Sequence, residues 1–182
     1  MKIGIIIGST RPGRVGASVG QWVYEEAAPR ESAEYELVDL ADFELDLLNE
    51  PTVPGEARGK YENPKTTRWS QKISEFDGFV FVTPEYNHSV PAAFKNAFDV
   101  LFKEWNNKVV ALVSYGADGG VRAVEHWRLI TANAHLYSVR GQLSMNTFTE
   151  FEDGKVKPNE RRPKELQALL NSLEKLVLKI RG

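Results

Sequence analysis

The sequence contains no cysteine, which excludes disulfide bonds, thiol catalysis and thiolate metal ligands. It has three histidines, His88, His126 and His135, and their spacing is not that of metal ligands. Neither an H-E-x-x-H nor a G-x-S-x-G motif occurs. We therefore predict no metal site, and the common nucleophile-based hydrolase mechanisms have no residues to support them.

The chain also lacks a strong charge of either sign and any long apolar run. Its formal net charge is −2, and its 42% hydrophobic and 26% charged residues are typical of a globular protein. This balance gives no reason to expect nucleic acid or a membrane surface as a partner. The first apolar run is short and is soon followed by Arg11 and Arg14, unlike a signal peptide. We expect a cytoplasmic protein in which residues 1–182 form a single domain.

What the chain does have is an alternation of buried strands and amphipathic helices. Apolar segments predict strands at residues 3–7, 34–40, 78–83, 108–114 and 142–147. Apolar residues at helical spacing predict helices at residues 15–27, 69–76, 91–101, 123–134 and 166–180. This order predicts an α/β fold, with a parallel sheet and helices on both of its faces.

Two further segments have local signals of their own. Residues 41–65 are rich in proline and glycine, which predicts a long irregular excursion that serves as a functional cover or a contact surface. Asp153-Gly154 predicts a tight turn that closes a small hairpin. The proline-rich surface and the additional tryptophans of the chain indicate self-association as a homodimer or homotetramer.

The turn after the first strand is the first candidate for a ligand site. Ser9-Thr10-Arg11-Pro12-Gly13-Arg14 connects that strand to the amino end of a helix, where free N–H groups and the helix dipole favour a phosphate. The turn is neither a P-loop nor a G-x-G-x-x-G fingerprint. Two arginines and two hydroxyls favour phosphate binding over the alternative, which is a solvated surface turn.

Two more unusual loops follow strands three and four. In the first, Pro84, Tyr86 and Asn87 could hold a flat heterocycle, or could serve only to shape a turn. In the second, three glycines permit close backbone approach, or make a flexible turn: Gly116, Gly119 and Gly120. Ligands of parallel sheets bind at the carboxyl ends of the strands. Because all three loops fall at that edge, we predict that they form one site.

Together these loops resemble the NADPH-dependent FMN reductase family, which includes quinone and azo-dye reductases. The segments that carry the resemblance are GSTRPGR at 8–14, PEYNHSVPAAFKNAFD at 84–99 and SYGADGGVRA at 114–123. The resemblance implies a flavodoxin-like five-stranded parallel sheet of order 2-1-3-4-5. It also implies FMN as cofactor, NADPH or NADH as substrate, and a small-molecule electron acceptor.

The resemblance further implies which residues line the site. The FMN phosphate is expected at Ser9, Arg11 and Arg14 and at the backbone of Val15 and Gly16. The isoalloxazine is expected between two sets of residues: Pro84, Glu85, Tyr86 and Asn87 on one edge, and Ser114, Tyr115, Gly116, Gly119 and Gly120 on the other. Many members of the family carry glycine where this chain has His88. No catalytic residue is implied, because the flavin carries the chemistry. From the sequence alone, Glu85 could be a general base, but we expect a loop carboxylate that faces solvent.

Three functions remain as alternatives. The first is an oxidoreductase that passes hydride from NAD(P)H through bound FMN to a quinone, a flavin or a similar acceptor in a ping-pong mechanism. The second is a flavodoxin-type electron carrier between proteins, although the arginine-rich loop and the small net charge weigh against it. The third is a nucleotide-binding enzyme in which Asp39 reads a ribose, although the missing G-x-G-x-x-G counts against it.

Overall fold

A computed structural model describes all 182 residues and contains a five-stranded parallel sheet. The strands are β1 (Lys2–Ile7), β2 (Glu34–Asp39), β3 (Gly78–Pro84), β4 (Lys108–Gly116) and β5 (Leu136–Asn146). Their order is β2-β1-β3-β4-β5, and each neighbouring pair is parallel, so the predicted order is confirmed.

Six α-helices accompany the sheet. They are α1 (Gly16–Ala27), α2 (Pro54–Ala57), α3 (Pro64–Ser74), α4 (Ala92–Asp99), α5 (Val121–Asn133) and α6 (Arg162–Arg181). Short 3-10 helices lie at Leu40–Phe43 and Lys103–Trp105. The predicted hairpin is confirmed as β6 (Phe151–Glu152) paired with β7 (Lys155–Val156). No helix in the structure combines the length and the apolarity that crossing a membrane requires.

The two faces of the sheet are covered by different kinds of packing. Ile3 and Ile5 of β1 point into a core that α1 and α6 complete with aliphatic residues. Ile6 points to the other face, which α3, α4 and α5 cover and which is rich in aromatic rings. Burial on both faces explains why β3 and β4 are almost wholly apolar.

The aromatic face buries three tryptophans, Trp69, Trp105 and Trp127, with no exposed surface. Each indole N–H has an acceptor, as a buried tryptophan needs: Trp105, for example, donates to Phe98 O at 3.0 Å and stacks on the ring of that residue. These tryptophans stabilise the core. They are therefore not available for self-association, contrary to what the sequence indicated.

Strand β5 begins at Leu136, six residues before its predicted start. It lies at the edge of the sheet, and its register with β4 shifts between Val110 and Leu112. In its first half the exposed residue Tyr137 follows the buried residue Leu136. A search for continuous apolar runs finds only the second half of such a strand, because exposed and half-buried residues separate the buried ones in the first half.

The excursion at residues 41–65 is more ordered than predicted, since it contains α2 and the start of α3. Asn63 caps α3 by accepting a hydrogen bond from Lys65 N at 2.9 Å, and Pro64 follows as the first helical residue. The side chain of Asn96 on α4 fastens the excursion: its amide donates to Asp46 O, and its carbonyl accepts from Leu48 N, both at 2.9 Å.

Candidate functional site

The loops after β1, β3 and β4 meet at the carboxyl edge of the sheet, as predicted. Gly8 N donates to Val82 O at 2.9 Å, which joins the first loop to the end of β3. Glu85 N donates to Tyr115 O at 3.1 Å, which joins the second loop to the end of β4. The backbone hydrogen bonds of the sheet thus continue past the strand ends and hold the loops side by side.

The first loop leads into the amino end of α1. Arg14 N donates to Arg11 O at 3.1 Å, and Gly13 adopts a left-handed conformation with φ of 70°. Helix α1 begins at Gly16, and the residue before it, Val15, offers no side-chain cap. The first N–H groups of a helix have no partner within the helix. With the positive end of the dipole, they make this point favourable for an anion.

The two arginines of the first loop differ in their contacts. Arg11 is exposed, and its guanidinium donates only to Pro12 O, at 3.2 Å. Arg14 forms an ion pair with Asp39 at the end of β2. Its Nε is buried and has no hydrogen-bond partner. Asp39 also accepts from Ala41 N at 3.0 Å, so both of its oxygens have protein donors, which counts against its predicted role in reading a ribose.

Ser9, Gly16 and Tyr115 pack together beneath the first loop. Ser9 is fully buried, and its Oγ accepts a hydrogen bond from Tyr115 Oη at 3.2 Å. A Cβ at Gly16 would lie 2.3 Å from both of these oxygens, so only glycine fits. Burial raises the pKa of Tyr115 to about 12, although the Ser9 hydrogen bond and the charges of Arg14 and Arg11 oppose the rise. The phenol is therefore neutral at physiological pH.

The second loop is a tight turn centred on Asn87 and His88. Tyr86 and Ser89 exchange two backbone hydrogen bonds of 3.0 Å, and the residues between them have φ of 48° and 65°. Two successive left-handed residues form a type I′-like turn, which favours glycine and asparagine. This geometry explains why glycine suits position 88. It leaves the Tyr86 ring 39% exposed at the edge of the site.

Glu85 does not face solvent, contrary to expectation. Its side chain is 9% exposed, and its carboxylate accepts from the guanidinium of Arg122 at 2.8 Å and from the backbone N of the same residue at 3.0 Å. Burial opposes ionisation of Glu85, but these hydrogen bonds outweigh it and lower the pKa of the carboxyl. Glu85 thus caps the start of α5 and is not available as a free base.

The third loop depends on its glycines. Gly119 and Gly120 have φ of 75° and 72°, and a Cβ at Gly120 would lie 2.9 Å from Tyr115 O. Ser114 is fully buried and donates to Gly119 O at 2.7 Å, so its hydroxyl supports the loop from below. The surface that this loop offers to a ligand is therefore mainly backbone.

One part of the site had no signal in the sequence pattern. The side chain of Asn146 at the end of β5 donates to Ala117 O at 2.5 Å and so fastens the third loop. Glu150 accepts from Asn146 N at 3.1 Å, and Arg162 on α6 binds both oxygens of that carboxylate. These residues are distant in sequence from the loop that they support, and only the folded chain brings them together.

A cavity of about 400 Å³ lies beside the first loop. Thr10 of that loop lines it together with Leu45 and Leu47 of the excursion and Ala92 and Ala93 of α4. The lining is mostly apolar, and Leu47 is 79% exposed. The excursion thus forms one wall of a groove next to the candidate site.

Comparison with known structures agrees with this architecture. A flavoenzyme NAD(P)H:(acceptor) oxidoreductase from Paracoccus denitrificans aligns over 98% of this chain and 97% of its own, with a TM-score of 0.74 and 20% identity. At that identity the likeness shows a shared fold, which is flavodoxin-like.

Comparison with known sequences identifies the family. An NAD(P)H-dependent FMN reductase of Schizosaccharomyces pombe is 44% identical over 119 residues, which are 65% of this chain and 60% of that protein. An NAD(P)H:quinone oxidoreductase of Solanum tuberosum is 33% identical over 157 residues, 82% of this chain and 78% of its own. The family profile described as NADPH-dependent FMN reductase matches residues 1–150. The chain belongs to the NADPH-dependent FMN reductase family.

Proposed function

We propose that the chain is an NAD(P)H-dependent oxidoreductase that binds FMN at the carboxyl edge of its sheet and reduces a small acceptor such as a quinone. The observation that carries the proposal is the buried Nε of Arg14, which has no partner and lies in the turn that leads to the uncapped start of α1. A phosphate supplies the acceptor that this donor lacks, at a place where the helix dipole favours it. Relatives named as FMN and quinone reductases support it.

The residues present fit FMN in each part of the site. Arg11, Arg14 and the first N–H groups of α1 hold the terminal phosphate. The Tyr86–Ser89 turn would border one edge of the flavin ring, and the backbone of Gly116–Gly120 would border the other. When bound, FMN would supply the redox chemistry between the nicotinamide and the acceptor. The chain itself binds and orients.

Two titratable side chains at the site are already bonded to protein groups. The carboxylate of Glu85 is held by Arg122, and Tyr115 is neutral and donates to Ser9. This agrees with a reaction in which the cofactor supplies the reactivity and the protein supplies position and electrostatics. The Tyr86–Ser89 turn therefore contributes shape and not acid–base chemistry. It holds Tyr86 at an exposed edge, where NAD(P)H and the acceptor would stack one after the other.

The first test is flavin content. We expect the purified protein to hold or take up about one FMN per chain, because the helix start binds a terminal phosphate group. The bound chromophore is released by denaturation and identified by chromatography. FAD in its place, or no flavin uptake, contradicts the proposal. Bleaching of the visible spectrum by NADPH without a protein partner separates this enzyme from an electron carrier.

The second test is the kinetic pattern. If NAD(P)H and the acceptor use the same exposed face in turn, double-reciprocal plots at several acceptor concentrations are parallel. Intersecting lines with a demonstrable ternary complex indicate separate sites, and the ping-pong mechanism is then wrong even if FMN binds.

We also propose that residues 1–182 form one domain, act in the cytoplasm and associate as a homodimer or homotetramer. The two cores support a single domain because they are the two faces of one sheet. Exposed Leu47, Leu48 and Val53 of the excursion support self-association. Light scattering measures the molecular mass of the parent and of Leu47→Ser in solution. We expect an oligomeric mass for the parent and a smaller one for the variant, and a monomeric mass for the parent contradicts self-association.

A further inference from the structure

Asp39 lies between the first loop and the segment that follows β2. In the parallel register of β1 and β2 it is opposite Ile7, one residue before the loop starts at Gly8. One carboxylate oxygen pairs with Arg14 Nη2, and the other accepts from Ala41 N at 3.0 Å. The second contact caps the 3-10 helix at Leu40–Phe43 and so fixes the carboxylate to the backbone.

The ion pair with Asp39 holds the Arg14 guanidinium through Nη2 and leaves Nε without a partner. The guanidinium is planar, and its N–H donors form a rigid fork, so a carboxylate on Nη2 sets the direction in which Nε points. That Nε is buried without a partner. A buried donor without an acceptor is unfavourable. The fold keeps this donor unpaired although Asp39 pairs with the same side chain.

We propose that Asp39 is the positioning residue of the phosphate site: it holds the Arg14 guanidinium so that Nε donates to the flavin phosphate. This inference rests on the FMN binding proposed above. A long flexible side chain loses rotamer freedom when it binds a ligand. Asp39 imposes that loss during folding, so the ligand meets an arginine already in place.

Asp39 could also have the opposite effect on FMN affinity, through electrostatic repulsion. A carboxylate next to a phosphate site repels the ligand and withdraws part of the charge of Arg14. If repulsion outweighs positioning, removing the charge of Asp39 tightens FMN binding. The two effects have opposite signs, so one measurement of affinity decides between them.

The experiment is fluorescence titration of the apo-protein with FMN, and with riboflavin as a ligand without phosphate. The variants are Asp39→Asn, Arg14→Met and the double variant. Asparagine keeps an oxygen for Ala41 N but loses the ion pair. We expect Asp39→Asn to weaken FMN binding about tenfold, which corresponds to about 1.4 kcal/mol, and to leave riboflavin affinity unchanged. In the Arg14→Met background, Asp39→Asn should have no further effect.

Asp42→Asn is the matched control. It removes the same charge three residues away on an exposed side chain that makes no side-chain contact with Arg14. Its FMN affinity should stay within about twofold of the parent. Asp39→Glu retains the charge and should recover part of the affinity. Thermal unfolding of each apo-variant verifies that it folds.

Each contrary outcome has a distinct meaning. Equal or tighter FMN binding by Asp39→Asn overturns the positioning role. An equal loss in the parent and in the Arg14→Met background shows that Asp39 acts through the fold and not through Arg14, which also overturns it. Absence of FMN binding by the parent instead rejects the proposed function itself.

Discussion

Two arginine–carboxylate ion pairs in this protein, Arg30–Glu174 and Arg14–Asp39, differ in how many of the arginine donors have a hydrogen-bond acceptor. Arg30 donates to both oxygens of Glu174 at 2.8 Å, and its remaining donors reach Gln167 and Asn171. Arg14 contacts Asp39 through Nη2, while its Nε has no partner. The first pair joins the connection after α1 to α6, and the second borders the candidate phosphate site.

The difference shows what each pair is for. Glu174 also accepts from Tyr35 Oη at 2.6 Å and from Ser32 Oγ at 2.7 Å, so the whole cluster is satisfied by the protein. A fully connected buried network fixes the packing of the elements that it joins. A pair with an unfilled donor beside a helix start is instead prepared for a ligand. We therefore expect changes in the first pair to alter stability and changes near the second to alter FMN affinity.

The largest expected effect comes from Glu174→Gln. Breaking one partner of a buried ion pair leaves the other charge uncompensated, which costs about 3–5 kcal/mol. Urea denaturation should show this loss, while FMN affinity of the folded fraction stays unchanged. Glu160→Gln, an exposed carboxylate without a side-chain partner, is the control and should unfold as the parent does. A loss of less than about 1 kcal/mol would mean that the cluster is not structural.

The same cluster predicts loss of stability in acid. Burial by itself raises the pKa of Glu174, but hydrogen bonds from Arg30, Tyr35 and Ser32 outweigh it and lower the pKa to about 2. Because the folded pKa is below that of the unfolded chain, this stability is complete above about pH 4.5 and is lost as pH falls toward 2. The difference in unfolding free energy between parent and Glu174→Gln should shrink over that range. A difference that is independent of pH contradicts the prediction.

The next effect concerns Arg11, whose guanidinium is free to donate two parallel hydrogen bonds. A charge-assisted contact to phosphate contributes about 1.5–3 kcal/mol. Arg11→Ala should then weaken FMN binding roughly 10- to 150-fold, and Arg11→Lys should recover only part of it because an ammonium lacks the planar fork. Turnover with excess FMN should change little.

Riboflavin is the control for Arg11. Its affinity should be low in the parent and the same in Arg11→Ala, as measured by fluorescence titration. If the substitution weakens riboflavin as much as FMN, Arg11 supports the loop and does not hold the phosphate. Stability of the apo-variant should match the parent, since the side chain is exposed and donates only to Pro12 O.

Part of the fold of this protein could be predicted from its sequence. Apolar runs revealed β1, β3 and β4, because strands buried on both faces have a local signature, and the loops after them were placed at one edge correctly. The Asn63-Pro64 cap of α3 has a local sequence signal, because asparagine is a preferred cap and proline a preferred first helical residue. The partially exposed edge strand β5 lacked a continuous apolar signal.

The contacts that separate the two arginine pairs were not predictable. Arg14 and Asp39 are 25 residues apart, and Arg30 and Glu174 are 144 apart, so no local pattern shows which carboxylate each arginine meets. For the same reason Glu85 was expected to face solvent, although the fold brings Arg122 to it. Periodicity indicates which face of an element is buried, whereas the pairing of charges depends on how the elements are arranged.

The smallest expected effect comes from Tyr115→Phe, which separates support of the site from contact with the ligand. The substitution removes the hydrogen bond from Tyr115 Oη to Ser9 Oγ and keeps the ring that packs near Phe151. One such bond contributes about 0.5–1.5 kcal/mol, so stability should fall by about 1 kcal/mol in urea denaturation. FMN affinity should fall less than in Arg11→Ala. Tyr137→Phe, on an exposed ring without a hydroxyl partner, should change neither quantity. If Tyr115→Phe leaves stability unchanged and weakens FMN binding as much as Arg11→Ala, the phenol contacts the flavin itself. The Tyr115 hydroxyl already has a hydrogen-bond partner in the apo-protein. A missing partner in the apo-protein would then no longer distinguish the groups that bind the ligand from those that support the fold.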